Sequence, residues 1–203
     1  MMLWIKNQYQ SYQSTLRRLQ LLDGLAPLLL RLYLAPVMIQ AGWNKIVGFE
    51  DTAAWFGNSE WGLGLPFPEL LTALAAGTEF IGGILLLLGL ATRLVAIPLM
   101  VTMLVAALTV HWENGWLAIS DASSWLANER IMEAQDRLQA GRSILQDHGH
   151  YGWLTEKGSF VILNNGVEFA VTYFVMLFSL LFTGGGRYTS VDYFVDQQLK
   201  KTI

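Results

Sequence analysis

Residues 70–91 read LLTALAAGTEFIGGILLLLGLA, an apolar run interrupted by a single charge, Glu79. A helix that crosses a bilayer needs about 20 mainly apolar residues, because each adds ~1.5 Å toward ~30 Å of hydrocarbon. The run is long enough, and it is apolar nearly all round, unlike the one-sided stripe of a helix in a soluble core. Three further stretches share this character: 25–46, 94–110 and 161–182. Thr92-Arg93 separates the second stretch from the third, and Pro36 and Pro98 lie inside helices one and three, where membrane helices tolerate kinks.

Composition agrees with four spans. Of the 203 residues, 53% are hydrophobic and 14% charged, and mean hydropathy is +0.38; ordinary soluble domains carry about 25% charged residues. The absence of cysteine rules out a thiol pair of this chain as an electron store. Lys and Arg are few and form no stripe, so no nucleic-acid partner is expected. A leader of about two dozen residues, Arg31 within the first run and no small-x-small site argue against a signal peptide there.

Charge sets the expected orientation. The N-terminal tail, the second connection and the C-terminal tail together carry a net +4, the other two connections a net −6. Basic residues stay on the cytoplasmic side, so both termini are expected to be cytoplasmic. The expected fold class is an all-α integral membrane protein, a four-helix transmembrane bundle forming a single membrane domain over residues 1–203. Segment 1–24 is cytoplasmic, 111–160 an extracytoplasmic insertion and 183–203 a cytoplasmic tail. Ile5, Tyr9, Tyr12, Leu16 and Leu19 form one helical stripe that suits a helix lying on the inner leaflet. Ala127, Ile131, Ala134, Leu138, Gly141 and Leu145 form a second stripe, opposite Glu129, Glu133, Asp136 and Arg137. This outer amphipathic helix, between spans three and four, packs on headgroups or a partner protein, or else covers its own bundle.

An ionisable residue inside a bilayer is costly, which makes it a functional candidate. Counting depth from the span ends leaves Arg31 and Glu79 only ~6 Å apart in height, so an ion pair between them is expected, fixing helix register or serving a polar substrate. Gly42-Trp43-Asn44-Lys45 ends helix one, His111-Trp112-Glu113 ends helix three, and Asn164-Asn165-Gly166-Val167-Glu168 opens helix four. Lys45, His111 and Glu168 are expected to converge at the outer ends of their helices. Seven of the eight tryptophans, all but Trp4, fall on that side, more than an aromatic belt on two faces requires. They point to an outer cap or an aromatic-lined pocket. Glu79, His111 and Glu168 are the candidate proton-handling residues, and Arg31, Lys45, Asn44 and Trp43 the candidate substrate-binding ones. His148 and His150, with His111, are candidate metal ligands, and Met100, Met103 and His111 share one helix face; imidazole and thioether together suit copper. Met packing and a solvated His-x-His are the ordinary alternatives.

Gly42-x-x-Lys45, Glu79-x-x-Gly82-Gly83, Gly89-x-x-Thr92-Arg93 and His111 together resemble the DoxX family of bacterial membrane proteins. The resemblance implies a compact four-helix fold in the bacterial cytoplasmic (inner) membrane. It also implies association with redox systems, including membrane subunits of thiosulfate:quinone oxidoreductases and partners in oxidant detoxification. The insertion departs from the short family form and is similar to longer relatives that accompany metal-stress peptides, copper-binding ones included. Two functions follow as expectations. One is a membrane subunit of a quinone-linked redox system that binds a diffusible quinone while a partner supplies electrons. The other is a non-enzymatic partner in copper handling, with the insertion as an extracytoplasmic docking surface.

Overall fold

The structure is a computed structural model that describes residues 2–202. It is all-α among these residues, apart from an isolated bridge between Ile119 and Leu163. The helices are α1 (Met2–Leu19), α2 (Leu25–Val47), α3 (Phe49–Gly57), α4 (Pro68–Leu88), α5 (Thr92–Ala106), α6 (Glu129–His148), α7 (Tyr151–Leu154), α8 (Glu168–Thr183) and α9 (Val191–Thr202). The chain forms two compact units, Met1–Thr102 with Phe174–Ile203, and Met103–Tyr173.

Among the described residues, three helical segments are long and apolar enough to cross a membrane: Gln20–Val47, Pro68–Leu88 and Thr92–Asn114. Their apolar side chains face outward in numbers that water would not tolerate. Leu29, Leu32 and Tyr33 on α2, Leu70, Leu74 and Ile81 on α4, and Leu94, Ile97 and Val101 on α5 are all exposed. Small and polar residues turn inward instead, among them Arg31, Thr72, Ala76, Glu79 and Gly83. That inversion is how a membrane protein packs, since lipid solvates leucine as well as another helix does. The chain is a multi-pass membrane protein.

In the first unit α2 and α4 pack side by side through glycine. A Cβ on Gly42 would collide with the backbone nitrogen of Phe80 and lie 2.8 Å from Ala76 O; one on Gly83 would lie 2.8 Å from Ile39 N and 3.0 Å from Ala35 O. These contacts set the antiparallel register, with Gly42 beside Ala76–Phe80 and Ala35 beside Gly83. Leu99 of α5 fills the space left by Gly82. Pro68 opens α4 at its first turn, where a missing N–H costs nothing. Gly89 closes α4 at φ +66, with Gly89 N–H on Leu86 O and Leu90 N–H on Leu85 O, a Schellman turn that only glycine enters without strain. The short helix α3, which hydropathy alone did not single out, packs on α4 with Ala53 buried.

The fourth apolar stretch differs from expectation. Helix α8 begins at Glu168, not Val161, and its 16 residues extend ~24 Å. Residues 161–167 stay non-helical because their backbone is spent elsewhere: Asn164 and Asn165 N–H both reach Ala118 O, Gly166 N–H reaches Leu117 O, and Val167 N–H reaches Gly115 O. The third span is longer than expected, continuing through a π-helical turn at Ala107–His111 and a 3-10 turn at Trp112–Asn114.

The outer stripe is present as helix α6, which lies on its own unit. Asn128 caps it, its Oδ1 accepting Ile131 N–H at 3.1 Å. Ile131 and Ala134 are buried, Leu138 and Leu145 half-buried, Gly141 exposed, and the acidic face is solvated. Gln135 donates to Ser120 O and Arg142 to Phe160 O, which ties α6 to both flanking segments of the second unit. Helix α1 also forms where expected, with Ile5, Tyr9 and Tyr12 exposed; the Leu19 side chain lies outside the described ones.

Candidate functional site

Glu79 lies eleven residues into α4, about 16 Å along its axis, and is 3% exposed. Its Oε2 accepts from Lys45 Nζ at 2.6 Å. Lys45 stands three turns along α2 from Ala35, on the stripe that carries Gly42, so α2 aims it at α4. Glu79 follows Ala76 on the facing stripe. The pair exists because Gly42 lets the two backbones approach closely enough for the lysine chain to fold inward over α4. Lys45 keeps 26% of its side chain accessible and Glu79 4%. Trp43 and Phe80 lie beside the pair, their ring centroids 5.9 Å apart and tilted by 37°. Trp43 is half exposed. Asn44 is exposed, and its carbonyl ends the helix by accepting Gly48 N–H. One turn beyond Ala76, Thr72 is fully buried and its hydroxyl has no hydrogen-bond partner among the described residues.

Arg31 is not Glu79's partner, which corrects the expected ion pair. Its Nε donates to Leu86 O at 2.7 Å, Nη1 to Gly185 O and to Thr189 O, and Nη2 to Leu87 O and Thr189 O at 3.2 Å each. A guanidinium has five N–H groups, and five carbonyl bonds account for all of them. Arg31, 1% exposed, thus spends its donors on backbone carbonyls. It binds the C-terminal carbonyls of α4, where the helix dipole favours a cation, to the turn that follows α8. Gly89 must be glycine here for a second reason: a Cβ would sit 2.6 Å from the Arg31 guanidinium.

Asp192 completes this junction, and the sequence reading missed it. Its two carboxylate oxygens accept Ala91 N–H at 2.6 Å and Thr92 N–H at 2.9 Å, capping α5 from across the fold. Ser190 begins α9, its Oγ accepting Tyr193 N–H; Ser-x-Asp after a triple glycine is a helix-start signal that was available. Gly89-x-x-Thr92-Arg93 is thus a structural joint.

In the second unit, His111 ends the π-helical turn. Such turns recur at functional sites. Its Nδ1 lies 2.8 Å from Asn165 O. A carbonyl only accepts, so Nδ1 carries the proton of this bond, and Nε2 makes no hydrogen bond among the described residues. Asn114 Nδ2 shares the same carbonyl at 3.1 Å. Glu168 is the first residue of α8; its Oε2 accepts Ala118 N–H at 2.9 Å. His111 and Glu168 therefore hold the same junction of residues 114–118 with 164–168. Asn164, buried at its centre, donates to Asn114 O and Leu117 O and accepts from Arg130 Nε.

No three His, Asp or Glu side chains gather into a metal-holding group among the described residues, so His111, His148 and His150 do not form one three-ligand site. Of the tryptophans expected at an outer cap or pocket, Trp43, Trp61, Trp112, Trp116, Trp125 and Trp153 are exposed, as interface tryptophans are, and Trp61 lines a cavity with Phe49, Ala53 and Pro68.

Apolar crossing helices, with a Lys–Glu pair held between two of them, define an all-α membrane protein with a charged intramembrane site. Residues 26–112 match the family model described as DoxX. That region includes Lys45, Glu79, the Gly89–Arg93 joint and His111, the residues on which the resemblance rests. A Bacillus subtilis (strain 168) protein named "Putative oxidoreductase CatD" is 36% identical over 83 residues, 41% of this chain. The chain spans 58% of the length of that relative. No solved structure matches the chain.

Proposed function

We propose that the chain is the membrane subunit of a quinone-linked oxidoreductase system, with Lys45 and Glu79 as its proton-handling pair. The carrying observation is a carboxylate almost wholly shielded at 2.6 Å from an ammonium that remains partly accessible, with the rings of Trp43 and Phe80, near neighbours of the pair in sequence, in contact with each other. Reduction of a quinone to a quinol takes up two electrons and two protons. The chain, with no cysteine, has no thiol pair to store electrons, and this reading assigns them to a partner redox protein. Lys45 donates a hydrogen bond to a quinone carbonyl oxygen and passes a proton to the reduced ring; water, which its partly accessible side chain meets, restores that proton and supplies the second, while Glu79 holds the ammonium in place. The Trp43 ring offers a flat apolar face for the quinone. His111 exchanges protons at the aqueous edge of the second unit through Nε2. The name of the matched relative supports the redox class. The protein resides in a bacterial cytoplasmic membrane, with α8 as the fourth crossing, both termini cytoplasmic, and the 111–160 insertion facing the partner.

Quenching of tryptophan fluorescence by a short-chain benzoquinone, with the protein in lipid nanodiscs, tests this. Saturable quenching that Trp43→Phe reduces and Lys45→Met weakens at least tenfold is the expected result. Linear, unsaturable quenching shared by all three proteins excludes the reading. Copper retained by the wild type and lost on His148→Ala with His150→Ala would favour the metal-handling alternative instead.

A further inference from the structure

A cavity of about 490 Å³ opens where the start of α5, the Gly184-Gly185-Gly186 turn and the first turns of α9 meet. Arg93, Arg187 and Tyr193 line it, together with Asp192 and Asp196. The two acids are already engaged: Asp192 caps α5, and Asp196 holds Lys200 Nζ at 2.5 Å. Arg93 makes one hydrogen bond among the described residues, from Nη2 to Phe182 O at 3.0 Å, which leaves most of its guanidinium facing outward. Arg187 is half exposed; its Nη1 lies 3.5 Å from Asp23 and its guanidinium rests over the Tyr188 ring.

Depth gives this cavity its meaning. Arg93 is the second residue of α5 and Thr183 the last of α8. On the apolar side of that level, Leu94 is 71% exposed and Phe182 65%. The cavity therefore sits where hydrocarbon gives way to headgroups. Helix α9 continues the surface, with Phe194, Val195 and Leu199 exposed along one side and Lys200 and Lys201 in its last turn, the pattern of a helix lying in an anionic interface.

The geometry points to a seat for one anionic phospholipid, its phosphodiester between Arg93 and Arg187 and its acyl chains along Leu94 and Phe182. Guanidinium groups match phosphate oxygens in pairs. A free phosphate shares that chemistry but makes no use of the apolar rim. The inference is independent of the quinone reading.

Native mass spectrometry of the full chain in mild detergent, with phosphatidylglycerol or phosphatidylcholine added, provides the test. Wild type should retain phosphatidylglycerol over phosphatidylcholine. Arg187→Gln should cut that preference roughly fivefold, and Arg93→Gln with Arg187→Gln further, as expected for loss of one and then two cations near a headgroup. If the double variant fails to fold, the single Arg187→Gln carries the comparison. Equal retention of the two lipids by the wild type, or an unchanged preference in Arg187→Gln, overturns the seat. Displacement of phosphatidylglycerol by millimolar inorganic phosphate overturns the lipid assignment in favour of a soluble anion.

Discussion

Lys45 Nζ and Glu79 Oε2 meet at 2.6 Å with unequal access to the surroundings, 26% of the lysine side chain against 4% of the glutamate's. The inequality makes the two halves of the pair respond differently to mutation. Removing Lys45 leaves a carboxylate that cannot reach water. Removing Glu79 leaves an ammonium on a flexible stem near the end of α2, free to swing outward.

Lys45→Met should therefore cost about 3–5 kcal/mol, the usual penalty for stranding a buried charge, and Glu79→Gln distinctly less. Lys45→Met with Glu79→Leu should recover most of the loss. Thermal unfolding in detergent measures all three; equal losses for the two single variants would contradict the asymmetry.

Arg31 should behave as a structural clamp. Arg31→Met leaves five carbonyl bonds unmade among Leu86, Leu87, Gly185 and Thr189, at about 1–3 kcal/mol for each buried acceptor that has no other donor; Leu86 O keeps Gly89 N–H. Such a variant should express poorly, and adding Glu79→Leu should give no rescue. Rescue in the same unfolding assay would restore the Arg31–Glu79 pairing that the hydrogen bonds exclude.

The difference between those pairings shows what was legible. Hydropathy located three crossing helices to within a few residues, because an apolar run of that length has one stable use. It also placed Lys45 and Glu79 among the candidates. Depth counted from span ends did not reveal their partnership, because the α2–α4 register is set by Gly42 against Ala76 and Phe80 and by Gly83 against Ile39. That register carries Arg31 past Glu79 to the end of α4. The α8 boundary was missed for a related reason: hydropathy counts Val161, Ile162 and Leu163 as span, whereas the backbone of residues 162–168 pairs with residues 115–120. Asp192 was hidden because its partners, Ala91 and Thr92, lie a hundred residues earlier.

Gly42→Ala tests the register directly. The added methyl meets α4 backbone, which cannot move as a side chain end can. It should destabilise the protein by more than 1 kcal/mol, beyond the gain in helix propensity of about 1 kcal/mol that Ala brings over Gly. A more stable Gly42→Ala protein would mean that α2 and α4 stand further apart.

Orientation is checked by labelling. Cysteine in place of Ser59 or Asp136, both exposed, should react with an impermeant thiol reagent outside intact cells. Cysteine in place of Gln10 or Gln198 should react only after lysis. Reaction of the tails in intact cells would reverse the orientation argued from charge.

The central claim is that Lys45, held by Glu79, meets the carbonyl of a bound quinone. Infrared difference spectra of an isotope-labelled quinone bound to the protein in nanodiscs report that contact. A hydrogen bond from an ammonium lowers the carbonyl stretching frequency. The account predicts a lowered band in the wild type that returns to the free-quinone position in Lys45→Met. A band at the same position in both proteins would contradict it.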